Sequence, residues 1–279
     1  MPINPLQKYH RVPKIYVKLP SRGQFYPDDL MTTSINDEVG VCALTARDQI
    51  LLKTPDAMLN GEALRQVIVS CVPTLKDALI LVEPDINTLA VAIKIATNGP
   101  NMDLELDCPS CQAKNNYQIN LQNLLDNQSY IDENVNLEIA DGLTIQLRPY
   151  NFEQRHLQIL NELERAQASR ILETDNNIGE NEKLIRLSKQ VADMTDRTFA
   201  LVSKSVISIT ITATNEIVTQ TEWINSYLQG LTKLQADSIF DKLREINEIG
   251  IQTGYDFTCN QCNHEWHQQL DLDPTSFFD

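Results

Sequence analysis

Leu104-Glu105-Leu106-Asp107-Cys108-Pro109-Ser110-Cys111 and Tyr255-Asp256-Phe257-Thr258-Cys259-Asn260-Gln261-Cys262 are the two stretches that decide how this chain folds. In each, apolar residues alternate up to a C-x-x-C pair, and in each the alternation resumes beyond it. With Cys108 set on Cys259, Leu104 falls over Tyr255, Leu106 over Phe257, Ile119 over Leu270 and Leu121 over Leu272. Alternation with period two is the signature of a half-buried strand, so each stretch reads as strand, knuckle, strand. Two such hairpins packed face to face present four thiolates in a tetrahedron, the arrangement of a zinc ribbon. Cys108, Cys111, Cys259 and Cys262 are therefore the candidate ligands of one structural Zn2+.

Between Cys111 and Cys259 lie 147 residues, where an ordinary ribbon has about 15–20. Everything between the halves is then an insertion, which is tolerable because loop-closure entropy grows only logarithmically with length. An unmetallated thiol pair or a disulfide is the alternative for either C-x-x-C. A redox pair is disfavoured, since neither motif opens a helix after a strand, the placement that lowers a thiol pKa. His264 and His267 stand close enough to replace a cysteine. His264-Glu265-Trp266-His267 is not a metalloprotease motif, which needs two histidines four apart on a helix. Cys42 and Cys71 sit in apolar surroundings and read as buried small hydrophobes.

Working outward, residues 1–43 read as a proline-rich extended arm (Pro2, Pro5, Pro13, Pro20, Pro27) with short strands such as Ile15–Leu19. Residues 44–100 show apolar spacing of helices, a small helical domain with Thr45 and Asp85 as N-caps and Asn98-Gly99-Pro100 as a stop. Residues 101–121 and 254–273 make the split ribbon. Residues 122–150 hold a β-hairpin, Val135–Ile139 and Leu143–Leu147 about a turn at Asp141-Gly142. Residues 151–253 are a helical insertion, with Asn151 capping a helix to about Leu172, a loop at Asp175-Asn176-Asn177, a long helix from Asn181, and two more at Thr221–Leu231 and Leu234–Glu248. Ser205–Thr212 fits either a buried helix end or a strand. The fold class is α+β, mostly helical, with a split zinc-ribbon-like β module.

The chain has 279 residues, 42% hydrophobic and 22% charged, ordinary globular usage. Its 23 Lys and Arg against 38 Asp and Glu leave a net charge of −15. Around the knuckles Lys114 is the only base, among Asp103, Glu105, Asp107, Asp256, Glu265, Asp271 and Asp273, so a nucleic-acid backbone would be repelled. No run of eighteen apolar residues occurs, and Met1-Pro2-Ile3-Asn4-Pro5 lacks a signal-peptide layout, so synthesis in the cytoplasm without membrane attachment is expected. There is no P-loop, G-x-G-x-x-G or G-x-S-x-G, which leaves no enzyme and no small-molecule substrate to propose.

The order of short motifs is itself informative. Leu19-Pro20-Ser21-Arg22-Gly23 with Tyr26-Pro27, then Leu44-Thr45-Ala46-Arg47-Asp48, Thr54-Pro55, Gly61-Glu62-Ala63 and Cys71-Val72-Pro73, then the two distant C-x-x-C pairs, resembles the baseplate hub protein family of T-even-like contractile-tailed bacteriophages along essentially the full chain. The resemblance implies a non-enzymatic structural component of the baseplate hub, or of its assembly intermediate, touching other baseplate or hub proteins. A transient tail-assembly chaperone absent from the mature virion is the alternative, and a nucleic-acid-binding zinc-ribbon protein the rival class. The location implied is the host cytoplasm when made and the virion tail baseplate if retained. Phe25, Tyr26, Phe277 and Phe278 are candidate interface anchors, the equal alternative being that they cover the protein's own core.

Overall fold

The computed structural model describes residues 11–34, 36–54, 61–140, 142–174, 179–270, 272 and 277–278. The first ten residues of the arm, Pro55, Asp141 of the hairpin turn, the Asp175–Asn177 loop, Asp271 and Asp273 lie outside the described residues. The chain forms two units, Met1–Ile131 with Glu248–Asp279, and Asp132–Asn247.

In the first unit, strands β1 (Ile15–Lys18) and β2 (Glu38–Val41) pair antiparallel with Val17 opposite Val39. Val17, Leu19, Leu30, Val39 and Val41 are all buried, so the described part of the proline-rich stretch contributes to this unit's own core. Helix α1 (Ala46–Leu52) starts at the predicted cap. The Thr45 hydroxyl accepts from the Asp48 N–H at 3.2 Å, and the Asp48 carboxylate accepts from the Thr45 N–H at 2.8 Å, a capping box that satisfies two orphan donors at once. Helix α2 (Glu62–Cys71) buries Val67 and Ile68, and helix α3 (Glu83–Asn98) buries residues around its whole circumference, including Ile86, Leu89, Val91 and Ile93. A helix apolar on all sides belongs at the centre of its unit. It stops at Gly99, φ 92°, a conformation that glycine adopts without a Cβ clash.

Asp85 does not cap α3. Val82 takes that position and Pro84 occupies the first turn, where a missing N–H costs nothing. Asp85 instead points back at the arm, fully buried. It accepts from the Ser21 N–H at 2.9 Å, the Ser21 hydroxyl and the Tyr26 hydroxyl at 2.6 Å, while the Val82 N–H donates to the Tyr26 oxygen at 2.8 Å. Burial outweighs these hydrogen bonds and pushes the Asp85 carboxyl up to about 6; burial and the Asp85 charge also raise the Tyr26 phenol well above its usual range. Tyr26 is thus a tether within the unit. Phe277 is likewise fully buried, with the Lys94 ammonium 5.8 Å from its ring centroid.

Two hairpins complete this unit. Strands β3 (Asn101–Asp107) and β4 (Lys114–Asn120) pair with each other and lead into the short helix α4 (Gln122–Asp126).

The second unit contains a four-stranded antiparallel sheet in the order β5 (Asn136–Ala140), β6 (Leu143–Leu147), β7 (Val206–Ile211), β8 (Glu216–Val218). Ser205–Thr212, whose sequence fits a helix end or a strand, contains β7, with Ile145 opposite Ile209. The segment after Asn151 is accordingly not all helix: β-branched residues gain a ladder partner from β6, an option a lone helix end does not offer. Helices α5 (Phe152–Thr174) and α6 (Glu180–Ser203) precede β7. Asn151 caps α5, its side chain accepting from the Gln154 N–H at 2.9 Å, and the buried Gln154 amide donates to the Leu201 carbonyl and Ser205 hydroxyl at 2.8 Å each. Helices α7 (Thr221–Gln229) and α8 (Lys233–Asn247) bury Ile224 and Leu228, and Ile239, Leu243 and Ile246. The second hairpin of the first unit follows, β9 (Gly254–Thr258) with β10 (Glu265–Gln269), so the strand predicted to reach Leu272 ends earlier. Among the described residues no helix is long and apolar enough to cross a membrane.

Candidate metal centre

Each knuckle is a six-residue turn closed by the same two backbone hydrogen bonds. The Cys108 N–H donates to the Ala113 carbonyl at 3.0 Å and the Gln112 N–H to the Cys108 carbonyl at 2.8 Å; the Cys259 N–H donates to the His264 carbonyl at 2.9 Å and the Asn263 N–H to the Cys259 carbonyl at 3.0 Å. The residue after each second cysteine turns left-handed, Gln112 with φ 59° and Asn263 with φ 57°. Strand register agrees as well. Asp107 pairs with Lys114 in one hairpin and Thr258 with Glu265 in the other, equivalent positions when Cys108 is set on Cys259. Identical closure of both turns makes each C-x-x-C aim two sulfurs to one side.

The structure brings all four sequence-predicted ligands together. Their sulfurs lie within 4.8 Å of one another, with Cys108 Sγ 3.7 Å from Cys262 Sγ and Cys111 Sγ 3.6 Å from Cys259 Sγ. Those cross-hairpin separations far exceed a disulfide bond of about 2.05 Å. Zinc bound to four thiolates at about 2.3 Å places the sulfurs about 3.8 Å apart, so the donor set fits a tetrahedral ion. Cys108 and Cys259 are buried, Cys111 and Cys262 exposed. The Cys262 and Gln261 N–H groups pull the Cys259 thiol down to about 6. The Ala113 N–H lowers Cys111, yet the Cys262, Cys259 and Cys108 sulfurs, with desolvation, outweigh it and push that thiol up to about 12. Four sulfurs crowded together cannot all hold charge without a cation among them.

Behind the sulfurs the hairpins meet through aromatic rings. Tyr117 and Phe257 centroids are 4.7 Å apart, Phe257 and Trp266 5.9 Å, Tyr117 and Trp266 6.2 Å, and the Tyr117 hydroxyl donates to the Thr258 carbonyl at 2.8 Å. The two histidines are elsewhere: His267 contacts Asp256 at 2.8 Å, and His264 stacks on Trp266. Among the described residues the metal-competent group contains cysteines alone. Cys42 and Cys71 are buried and apart from it; burial raises Cys42, and burial with the nearby Asp48 charge pushes Cys71 up to about 12. Lys114, the lone base of the knuckles, is paired with Glu105. The sequence reading missed Asn115, which is buried and reaches Cys259 from the other hairpin. Its signal was a polar residue on the inward phase of β4, shared with Tyr117 and Ile119.

A family model described as T4 bacteriophage base plate protein matches residues 13–279. No curated protein and no solved structure matches.

Proposed function

We propose, from the premise that the chain belongs to the T4 bacteriophage base plate protein family, that it is a non-enzymatic structural part of the hub of a contractile-tail baseplate, held in shape by one zinc ion. Membership of the family indicates a structural role in the baseplate, interaction with other phage tail proteins and a place in the virion tail. The match over residues 13–279 carries the reading, because it includes both knuckles and everything between them.

Zinc is the ion proposed because an all-thiolate tetrahedral set selects it over harder cations. Cys108, Cys111, Cys259 and Cys262 would hold it, and the ion would tie together two segments far apart in sequence. Acidic surroundings favour protein partners over nucleic acid: Asp103, Glu105, Asp107, Asp256 and Glu265 are exposed around the knuckles. For docking, the described residues of the second unit expose several large apolar side chains. Leu157, Ile159 and Leu163 on α5, Ile185 on α6, and Trp223 and Leu234 are at least a third exposed, and are the side chains we propose for contact with other tail proteins.

The deciding experiment is quantitative mass spectrometry of purified tails, followed by reconstruction of the baseplate. The hub reading expects this chain at fixed stoichiometry with ordered density on the tail axis. Presence in assembling intermediates and absence from finished tails would replace it with a transient assembly chaperone.

A further inference from the structure

The two knuckles match in backbone, and two of the equivalent positions at which their sequences differ bear on how the hairpins join. Asn115 in β4 stands where the second hairpin has Trp266, and Pro109 stands where the second knuckle has Asn260. These differences meet in space. Asn115 is 2% exposed. Its oxygen accepts from the Asn260 N–H at 2.9 Å, and its amide nitrogen donates to the Ala113 carbonyl at 2.8 Å and to Cys259 Sγ at 3.6 Å. One amide thus joins the backbone of its own knuckle, the backbone of the opposite knuckle and a ligand sulfur. No mirror-image link can form, because Pro109 has no N–H to give and Trp266 has no acceptor to offer.

We infer that Asn115 is a positioning residue for the metal centre, a one-way latch that seats the second knuckle on the first and fixes the Cys259 sulfur as a ligand. This rests on the zinc reading above. The second knuckle arrives from a distant segment, so its approach carries a loop-closure cost. A latch made of protein groups gathers the four sulfurs in place for the ion. The N–H aimed at Cys259 also stabilises that sulfur as a thiolate, as hydrogen bonds to ligands do in other metal sites. Only asparagine meets all three demands: aspartate lacks the N–H, alanine lacks both functions, and glutamine is a methylene too long.

The test uses the full-length zinc-loaded protein, with zinc affinity measured by competition against a chromophoric chelator and release followed in time. Asn115→Ala is expected to lower zinc affinity ten- to a hundredfold and to speed release, while the cobalt-substituted protein keeps a four-thiolate spectrum with shifted charge-transfer bands. Asn260→Pro is the complementary variant. It removes the N–H that Asn115 accepts, together with the exposed Asn260 side chain, in a turn whose twin already carries proline, and should weaken zinc by a smaller factor. The double variant should be no weaker than Asn115→Ala alone, since both cut one link. Independent, multiplying losses overturn the latch, as does unchanged affinity and release in both single variants. Should Asn115→Ala fail to fold, Asn260→Pro decides alone: unchanged affinity and release overturn the latch. A wild-type protein that binds no zinc overturns the metal reading, a result distinct from either of these.

Discussion

Hairpin β3–β4 and hairpin β9–β10 share register, turn closure and a left-handed residue after the second cysteine, yet they are secured in the first unit by different means. The earlier one runs directly from α3 through Gly99 and Pro100 and into α4, with Ile119, Leu121, Leu124 and Leu125 buried behind it. The later one has shorter strands, and in β10 every side chain but Trp266 is exposed. Its main apolar hold is Phe257 against Tyr117. Local geometry at a thiolate knuckle is therefore set by the knuckle itself, whereas the stability of the strands behind it depends on what they cover. The later hairpin should lean on the metal more heavily.

The largest effect is expected from taking the metal away. A structural zinc site is worth about 10 kcal/mol or more in small domains. Cys259→Ser should abolish stoichiometric zinc, and amide exchange in Gly254–Thr258 and Glu265–Gln269 should quicken by about a thousandfold or more. Asn101–Asp107 should keep part of its protection, and the unit Asp132–Asn247 should be unchanged. Equal loss in both hairpins would break the comparison.

Next come the equivalent inward residues Phe257 and Leu106. Phe257→Ala removes a buried ring and should cost about 3–4 kcal/mol in denaturant unfolding of the zinc-loaded protein. Leu106 is only half-buried, so Leu106→Ala should cost about 1–2 kcal/mol. Reversed magnitudes would mean that Phe257 against Tyr117 is not the main apolar hold of the later hairpin.

Asp85 provides a control outside both hairpins. Its carboxyl titrates near 6 when folded, above its unfolded value of about 3.9. The folded state therefore binds the extra proton between those values. Asp85's contribution to stability is complete below about pH 4 and is lost as pH rises through 6. The swing is about 3 kcal/mol. Asp85→Asn, which cannot titrate, should remove that slope from unfolding free energies measured between pH 4 and 7 and leave zinc content intact. A slope identical to wild type would place the charge elsewhere.

The smallest effect sharpens the comparison most finely. Gln112 and Asn263 share a left-handed backbone, which asparagine tolerates better than glutamine. Gln112→Gly should raise stability by roughly 0.5–1 kcal/mol, while Asn263→Gly should stay near zero. Thermal melts of the two zinc-loaded variants distinguish these outcomes.

The sequence alone determined the strand–knuckle–strand pattern at Cys108 and Cys259, the hairpin at Val135–Leu147, the caps at Thr45 and Asn151, and the acidic setting of the knuckles, because alternation, spacing, capping and charge are properties of neighbours along a chain. Tertiary structure alone decided the rest. Ser205–Thr212 became a strand once β6 supplied a ladder. Asp85 left the cap it was expected to form because buried donors on Ser21 and Tyr26 needed its carboxylate. Phe277, which the sequence leaves open to an interface or to the protein's own core, turned inward. Asn115 acquired its place beside Cys259 only when a segment far along the chain folded back over it. Each of these depends on which groups lie across space, and hydrogen bonding and burial reward such partners whatever their distance in sequence.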